Sequence, residues 1–486
     1  MHRRSQTRLR PPIRFGHPDK CWTIWRIGGE VGEIASRLYE QPARDYTIST
    51  GRIKTFGGKD GIDVFRRDCY KRSNFIHRKD VVYKVVQPRY EETSIRHLSA
   101  TTVSIRKHSS THCRYIFPRP HFPSKMVNIP KTQTAATVPK LGGGVVFVHD
   151  YPVPQPGHNE VLAKVLYSGV CQSDLHTQAG IAASAQGTPI TNVKLPHVGG
   201  HEGIGRIIAL GPGVDEDIKV GTFVGIRFAS RICRRCNFCL AGKEQHCIKS
   251  TNHLHHEDGS FQEYIALDAG YLTLLPDDID PVTTGPVLCA GLTTYKAVKN
   301  CNVSAGNSVV VVGAGGGLGH LAVQYALAQG AIVYAVDGGG EKGEFLKSLG
   351  VTGYVDFTTT PNLIDKIHEI TNGGADAVIV TAANPKAFAQ AAEMLAVGGT
   401  LSCVGIPAER GYLETPISTI VIKGLHITGN LVGSLKECLE AVDLVRRGIV
   451  KPKVTVRPFE DLPKIYEELE RGDVLGRIVL KIAKDE

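Results

Sequence analysis

Cys233, Cys236, Cys239 and Cys247 stand at Cys-x2-Cys-x2-Cys-x7-Cys spacing in the stretch RICRRCNFCLAGKEQHC. Thiolates at such close steps can converge on one tetrahedral zinc, and four protein ligands leave that ion no open position. A disulfide pair and an iron–sulfur cluster are the competing readings. Nothing marks the chain as secreted and ferredoxin spacings differ, so a structural zinc is expected. A closed site does no chemistry, and reactive residues must be sought elsewhere.

Three separated segments supply them. Cys171 lies in YSGVCQSDLH, His201 and Glu202 in GGHEGIG, and Cys289 in PVLCAGLTTYKA. Two thiolates and one imidazole leave the fourth tetrahedral position to water or substrate, as a catalytic zinc requires. Asp174 is the candidate to accept a hydrogen bond from the His201 ring and orient it. Taken singly, each residue has a plainer reading: the cysteines as small buried hydrophobes, the histidine as a satisfied core residue. Their placement beside glycine-rich turns, close to a nucleotide-binding pattern, outweighs it.

That pattern begins with four valines, Val309 to Val312, which read as a strand buried on both faces of a parallel sheet. They run into Gly313-Ala-Gly-Gly-Gly-Leu-Gly319 and an apolar-striped helix. Glycines let the backbone approach a pyrophosphate, and the helix N-terminus offers free N–H groups and positive potential. The strict G-x-G-x-x-G fails, because its sixth position is Leu318. Gly313, Gly316 and Gly319 instead fit G-x-x-G-x-x-G, with Gly317 between them. After the next strand comes Asp337, placed to bond ribose hydroxyls and repel a 2′-phosphate, so NAD is expected over NADP.

These residues need two kinds of scaffold. From Gly142 onward, short Val/Ile-rich runs alternate with Gly/Pro turns (GGVVFVH, EVLAKVLYSGV, GIGRIIALG, GTFVGIRF), which predicts a mostly antiparallel β domain. Near Leu292 the texture becomes strand, glycine turn, long helix, strand, a right-handed βαβ unit. The alternation runs to about Gly429, after which helix and strand are expected to pair back with the β-rich part. The fold class is α/β.

The 486 residues suffice for two or three domains with real cores, and no apolar run approaches the ~20 residues that span a bilayer. The 12 cysteines, without a secretory signal, point to a reducing compartment and metal ligation. The net charge of +10 is unevenly spread. Residues 1–125 hold 26 Lys+Arg against 11 Asp+Glu, a balance of +15, so the other 361 sum to −5. This basic extension, which also holds both tryptophans, Trp22 and Trp25, shows no sustained periodicity. It is expected to be disordered or absent from the mature protein, with Met126 an internal start. A targeting role would make the protein mitochondrial; otherwise it is expected in the cytoplasm. No nucleic-acid-reading motif is present, so nucleic acid is not an expected partner.

Residues 126–486 resemble a zinc-containing alcohol dehydrogenase of the medium-chain dehydrogenase/reductase superfamily, most like its tetrameric fungal and bacterial branch. The family's zinc signature G-H-E-x2-G-x5-G-x2-V is met by Gly200, His201, Glu202, Gly205, Gly211 and Val214. YSGVCxSDLH, KLPxVGGHEG, DGSFQEY, CAGLTTYKA, GGGLGHLAVQYA and VxGRIVL stand in family order. The resemblance implies a GroES-like β-rich catalytic domain (126–290 and 430–486, with a structural zinc lobe at 233–247). It implies a Rossmann doubly wound parallel-sheet domain over 291–429. Two zinc ions per chain are implied: one catalytic on Cys171, His201 and Cys289, one structural on the four clustered cysteines. By the same resemblance Glu202 approaches the catalytic metal, Ser173 touches the alcohol oxygen, and His176 passes its proton onward. Asp337 and Lys342 resemble adenosine-ribose contacts, and Val404 a nicotinamide-side contact. The implied reaction interconverts primary or secondary alcohols and their carbonyl products with NAD, in a homotetramer or dimer and away from membranes.

The chain departs from that pattern in places. Extra length between His176 and His201 falls in GIAASAQGTPITN, replacing a segment that commonly brings a tryptophan to the pocket, and Phe228 holds another aromatic pocket position. A wider pocket is expected. Gln172 and Leu435 stand where cationic residues often meet the dinucleotide, with Lys436 a candidate to compensate, so weaker NAD binding is expected.

Overall fold

The computed structural model describes residues 128–407 and 410–483, with the backbone of a few short strands between residues 14 and 64. The expectation that residues 1–125 are disordered or removed lies outside the described residues.

Alternating apolar residues build the first scaffold. Strand Glu160–Val170 is the hub of a seven-stranded sheet and pairs antiparallel with Gly203–Leu210, Tyr264–Asp268 and Arg477–Lys481. Arg477–Lys481 thus returns from the end of the described chain to lie against the strand that leads into Cys171. Val161, Ala163, Val165, Ile207, Val224 and Ile265 fill the core beneath it. A three-stranded antiparallel sheet of His197–Val198, Thr132–Val138 and Val146–Pro152 completes this β-rich part.

The second scaffold is a parallel six-stranded sheet. Its spatial order is Gly353–Asp356, Ile332–Asp337, Ser308–Val312, Ala375–Val380, Leu395–Cys403, His426–Gly429. In chain order that is 3-2-1-4-5-6, and the direction of winding reverses beside Ser308–Val312, where doubly wound folds bind ligands. Val309 and Val311 enter one core and Val310 and Val312 another, which is why the sequence shows an unbroken apolar run rather than alternation. The core that takes Val309 and Val311 also contains Cys171 and Cys289, so one packed interior supports both the glycine loop and the candidate ligands. No helix among the described residues is long and apolar enough to cross a membrane.

Candidate active site

The four-cysteine lobe is built from local backbone. The amide of Cys233 donates to Cys247 Sγ and that of Cys236 to Cys233 Sγ, each at 3.3 Å. Such donors favour thiolate: a backbone N–H from Cys239 pulls the Cys236 thiol down to about 6. A tetrahedron with Zn–S bonds of ~2.3 Å has sulfur–sulfur edges of roughly 3.8 Å. The Cys236–Cys239 and Cys233–Cys239 sulfurs lie 3.6 and 4.0 Å apart, and all four come within 4.8 Å of one another. The donor set fits a zinc ion.

The second cluster is assembled from distant segments and is buried. Strand Glu160–Val170 ends at Cys171, the N-cap of helix Gln172–Ala179. Asp174, in the first turn, gathers the parts: it accepts from the Cys171 amide at 3.1 Å, the Gly200 amide at 3.0 Å and His201 Nδ1 at 2.9 Å. That last bond places the ring proton on Nδ1 and leaves the Nε2 lone pair facing Cys289 Sγ, 3.2 Å away. The ligand atoms of Cys171, His201, Glu202 and Cys289 lie within 4.8 Å of one another.

The electrostatics of this cluster call for a cation. Contact with the Cys289 thiol, then with His201 and the Arg477 charge, outweighs burial and draws the Cys171 thiol well down. Burial opposes a charged His201 ring, yet Asp174 and Cys171 push it well above its ordinary value. Burial lifts the Glu202 carboxyl to about 7 against the pull of Arg477. Glu202 Oε1 accepts from Arg477 Nη2 at 2.5 Å, whereas the buried Oε2 has no hydrogen-bond partner among the described residues. Two thiols, a tautomer-fixed imidazole and an orphaned carboxylate oxygen fit a zinc site with one open position.

Ser173 and His176 follow Cys171 on the same short helix, both half-buried. His176 Nε2 lies 3.3 Å from the Gln172 amide nitrogen, and burial lowers its pKa. Phe228 packs against the core that holds Cys171 and Cys289. The lengthened loop folds as a small hairpin in which the Ser184 amide donates to the Thr188 carbonyl at 2.8 Å.

At the end of Ser308–Val312 the glycine loop turns sharply into helix Gly319–Ala328. A Cβ on Gly319 would sit 2.1 Å from the Gly313 carbonyl oxygen, so only glycine lets the helix start this close to the strand. Leu318, the N-cap of that helix, packs on the core, and the Gly316 amide bonds the Gly313 carbonyl at 3.3 Å. Asp337, at the tip of the neighbouring strand, accepts from the Gly315 amide at 2.8 Å and from Lys342 Nζ at 3.1 Å. These two residues therefore brace the loop as well as flanking it. Val404, buried just beyond strand Leu395–Cys403, bonds the Val380 carbonyl through its amide at 3.1 Å. Lys436 turns toward Glu440 on its own helix, at 3.8 Å.

The structure adds Arg477, whose role nothing in the sequence marks directly. The one available signal is a guanidinium opening a strand, RIVLK, that is apolar up to its last residue, Lys481. The partner of Arg477, Glu202, is 275 residues away.

The chain is similar to known proteins over this same region. Residues 157–277 match the alcohol dehydrogenase GroES-like domain and residues 317–447 the zinc-binding dehydrogenase domain. Alcohol dehydrogenase 1 of Emericella nidulans is 40% identical over 358 residues, 73% of this chain and 99% of that one. The crystal structure of the alcohol dehydrogenase from the archaeon Aeropyrum pernix aligns with TM-score 0.65 at 30% identity, over 72% of this chain and 99% of that one. Acetophenone reductase from Geotrichum candidum, solved with NAD, aligns at 0.62 and 27% over 73% and 98% of the two chains. An enzyme from Helicobacter pylori solved with NADP(H) aligns at 0.62 and 26% over 74% and 100%. The chain belongs to the zinc-type alcohol dehydrogenases of the medium-chain dehydrogenase/reductase superfamily.

Proposed function

We propose that the chain oxidises primary and secondary alcohols with NAD, and runs the reverse reduction, using one catalytic and one structural zinc. The buried meeting of Cys171, His201, Glu202 and Cys289 below a glycine loop carries this reading. Zinc there would supply Lewis acidity that lowers the alcohol's pKa, and the nicotinamide would accept hydride. The chain's own residues do the rest. Asp174 holds the His201 tautomer, and Ser173 takes the alcohol proton and hands it to His176. The Gln172 amide, against His176 Nε2, orients that ring. Asp337 selects NAD by repelling a 2′-phosphate, with Lys342 and Val404 as further dinucleotide contacts.

The β-rich part (126–290 and 430–486) serves as the catalytic domain and 291–429 as the cofactor domain. A homodimer or homotetramer is part of the proposal. Helix Ile417–Lys423 buries none of its residues, and Ile417, Val421 and Ile422 are all exposed beside the open sheet edge His426–Gly429. We place the enzyme in the cytoplasm.

The test is a zinc count on the purified chain together with NAD and NADP reduction across alcohols. Two zinc per chain and NAD-linked turnover extending from ethanol to benzyl alcohol are expected. Absence of turnover with every alcohol, or a steep fall from ethanol to butanol, would remove the activity or the wide pocket respectively.

A further inference from the structure

The helix behind the glycine loop carries a buried histidine that the reaction as described does not use. His320 Nδ1 lies 3.0 Å from the Gly316 carbonyl oxygen, and its Nε2 lies 3.2 Å from the Lys453 amide nitrogen. The amide must donate, so Nε2 is the acceptor and the ring proton sits on Nδ1, from which it joins the His320 amide in bonding the Gly316 carbonyl. Both ring nitrogens are satisfied by backbone alone. Burial holds this ring down to about 4, so it stays neutral.

From Lys453 the contacts continue. Its carbonyl accepts from the Arg477 amide at 2.8 Å, and the Arg477 side chain reaches Glu202 Oε1 at 2.5 Å. On the way the guanidinium passes the glycine loop: a Cβ on Gly317 would lie 3.0 Å from Arg477 Cδ and Nη1. One turn after His320, Gln324 strengthens the clasp. Its amide oxygen accepts from the Lys451 amide at 2.7 Å and its nitrogen donates to the Lys451 carbonyl at 3.1 Å. The start of the cofactor helix thus grips alternate residues of the extended segment 451–453 by their backbone. The result is a closed path from the loop carbonyl, through His320 and Lys453, to Arg477, and back over Gly317.

We propose that His320 is a positioning residue that locks the glycine loop to the backbone of Lys453 and Arg477. A dinucleotide on the loop and the Glu202 carboxylate beside the metal ligands then share one register. The inference rests on the reading that loop 313–319 holds the dinucleotide. A bare packing role would need neither nitrogen at this place, since an apolar ring would fill the same volume.

The test is a double-mutant cycle on the zinc-loaded full chain, with NADH and NADPH binding followed by fluorescence, zinc content measured, and kcat separated from KM. H320A removes the acceptor of the Lys453 amide and leaves the Gly316 carbonyl only the backbone amide of residue 320, and it is expected to weaken binding about tenfold, chiefly through KM, with zinc content unchanged. Because His320 acts through Arg477, H320A in an R477K background should cost less than about threefold more. H320N keeps a donor for Gly316 and offers nothing to Lys453, so it should fall between wild type and H320A; it carries the cycle if H320A does not fold. Binding by both variants within twofold of wild type would overturn the proposal. So would full additivity with R477K, or a loss confined to melting temperature. A wild type that binds NADPH more tightly would instead sink the Asp337 reading. The same cycle run with NADPH would still judge His320.

Discussion

The two cysteine clusters solve the same ligand problem in opposite ways. The lobe of Cys233, Cys236, Cys239 and Cys247 draws its sulfurs from one short loop, and backbone amides orient them near the surface. The cluster of Cys171, His201 and Cys289 draws on three separated segments, sits fully in the core, and is oriented by the side chain of Asp174, with Arg477 holding the neighbouring Glu202. A local cluster can hold an ion while saying little about the rest of the fold. A dispersed one forms only when the whole fold does, and it gains a low-dielectric interior where charge has large effects.

The comparison breaks most sharply at Cys171. With C171S, kcat is expected to fall by about 1,000-fold or more, since Lewis-acid assistance is worth several kcal/mol. One zinc per chain should be lost and the lobe's ion kept. Loss of both ions, or neither, on metal analysis would show that the clusters are not independent. D174N is milder. It keeps the shape but presents a weaker acceptor to His201, and changes of this kind cost ~10–100-fold in metal affinity or activity. Zinc competition with a chelator reads this directly, and an affinity equal to wild type would deny Asp174 its orienting role.

At the cofactor loop, D337N should weaken NAD binding by roughly tenfold, as expected when a charge-assisted bond worth about 1.5–3 kcal/mol is lost. It should also narrow the gap to NADP. Because Asp337 also accepts from the Gly315 amide, part of the loss will come from a slackened loop. Equal losses for NAD and NADP would mean that the brace is its whole contribution.

The same contrast explains what could be read from the chain. The lobe was legible because its spacing is its geometry. The glycine loop was legible for a similar reason, as strand, turn and helix are consecutive; Gly319 reports the close approach of helix to strand. The meeting of Cys171 with Cys289 rests, in the sequence, on residue type, on placement beside glycine-rich turns and on resemblance to a family, not on periodicity, since nothing local specifies which separated segments meet. Arg477 is not legible because its carboxylate partner, Glu202, lies 275 residues away, and His320 because its partners are backbone groups: a carbonyl at Gly316 or an amide at Lys453 leaves no mark on residue type. The hairpin of the lengthened loop could be located in the sequence but not shaped, because its turn is set by the Ser184–Thr188 contacts.

The smallest effect on turnover is expected where the sequence signal was strongest. In C236S the lobe loses one of four thiolates, and with it most of its hold on zinc. No sulfur of that lobe is among the ligand atoms grouped with Cys171 and Cys289, so kcat per folded molecule should stay within about twofold. Stability should not. The lobe has little core of its own: Phe238 and Leu240 are exposed and helix Asn237–Leu240 buries nothing. Metal binding there is folding free energy, and losing a few kcal/mol of it lowers the melting temperature by roughly 3–5 °C in a chain of this size. One contact carries the damage further, because Glu244 Oε1 accepts from the Leu435 amide at 2.6 Å and so ties the lobe to the start of helix Leu435–Arg446. If kcat instead collapses while the melting temperature holds, the lobe would be part of the reaction's machinery, and the division between the two clusters would be wrong.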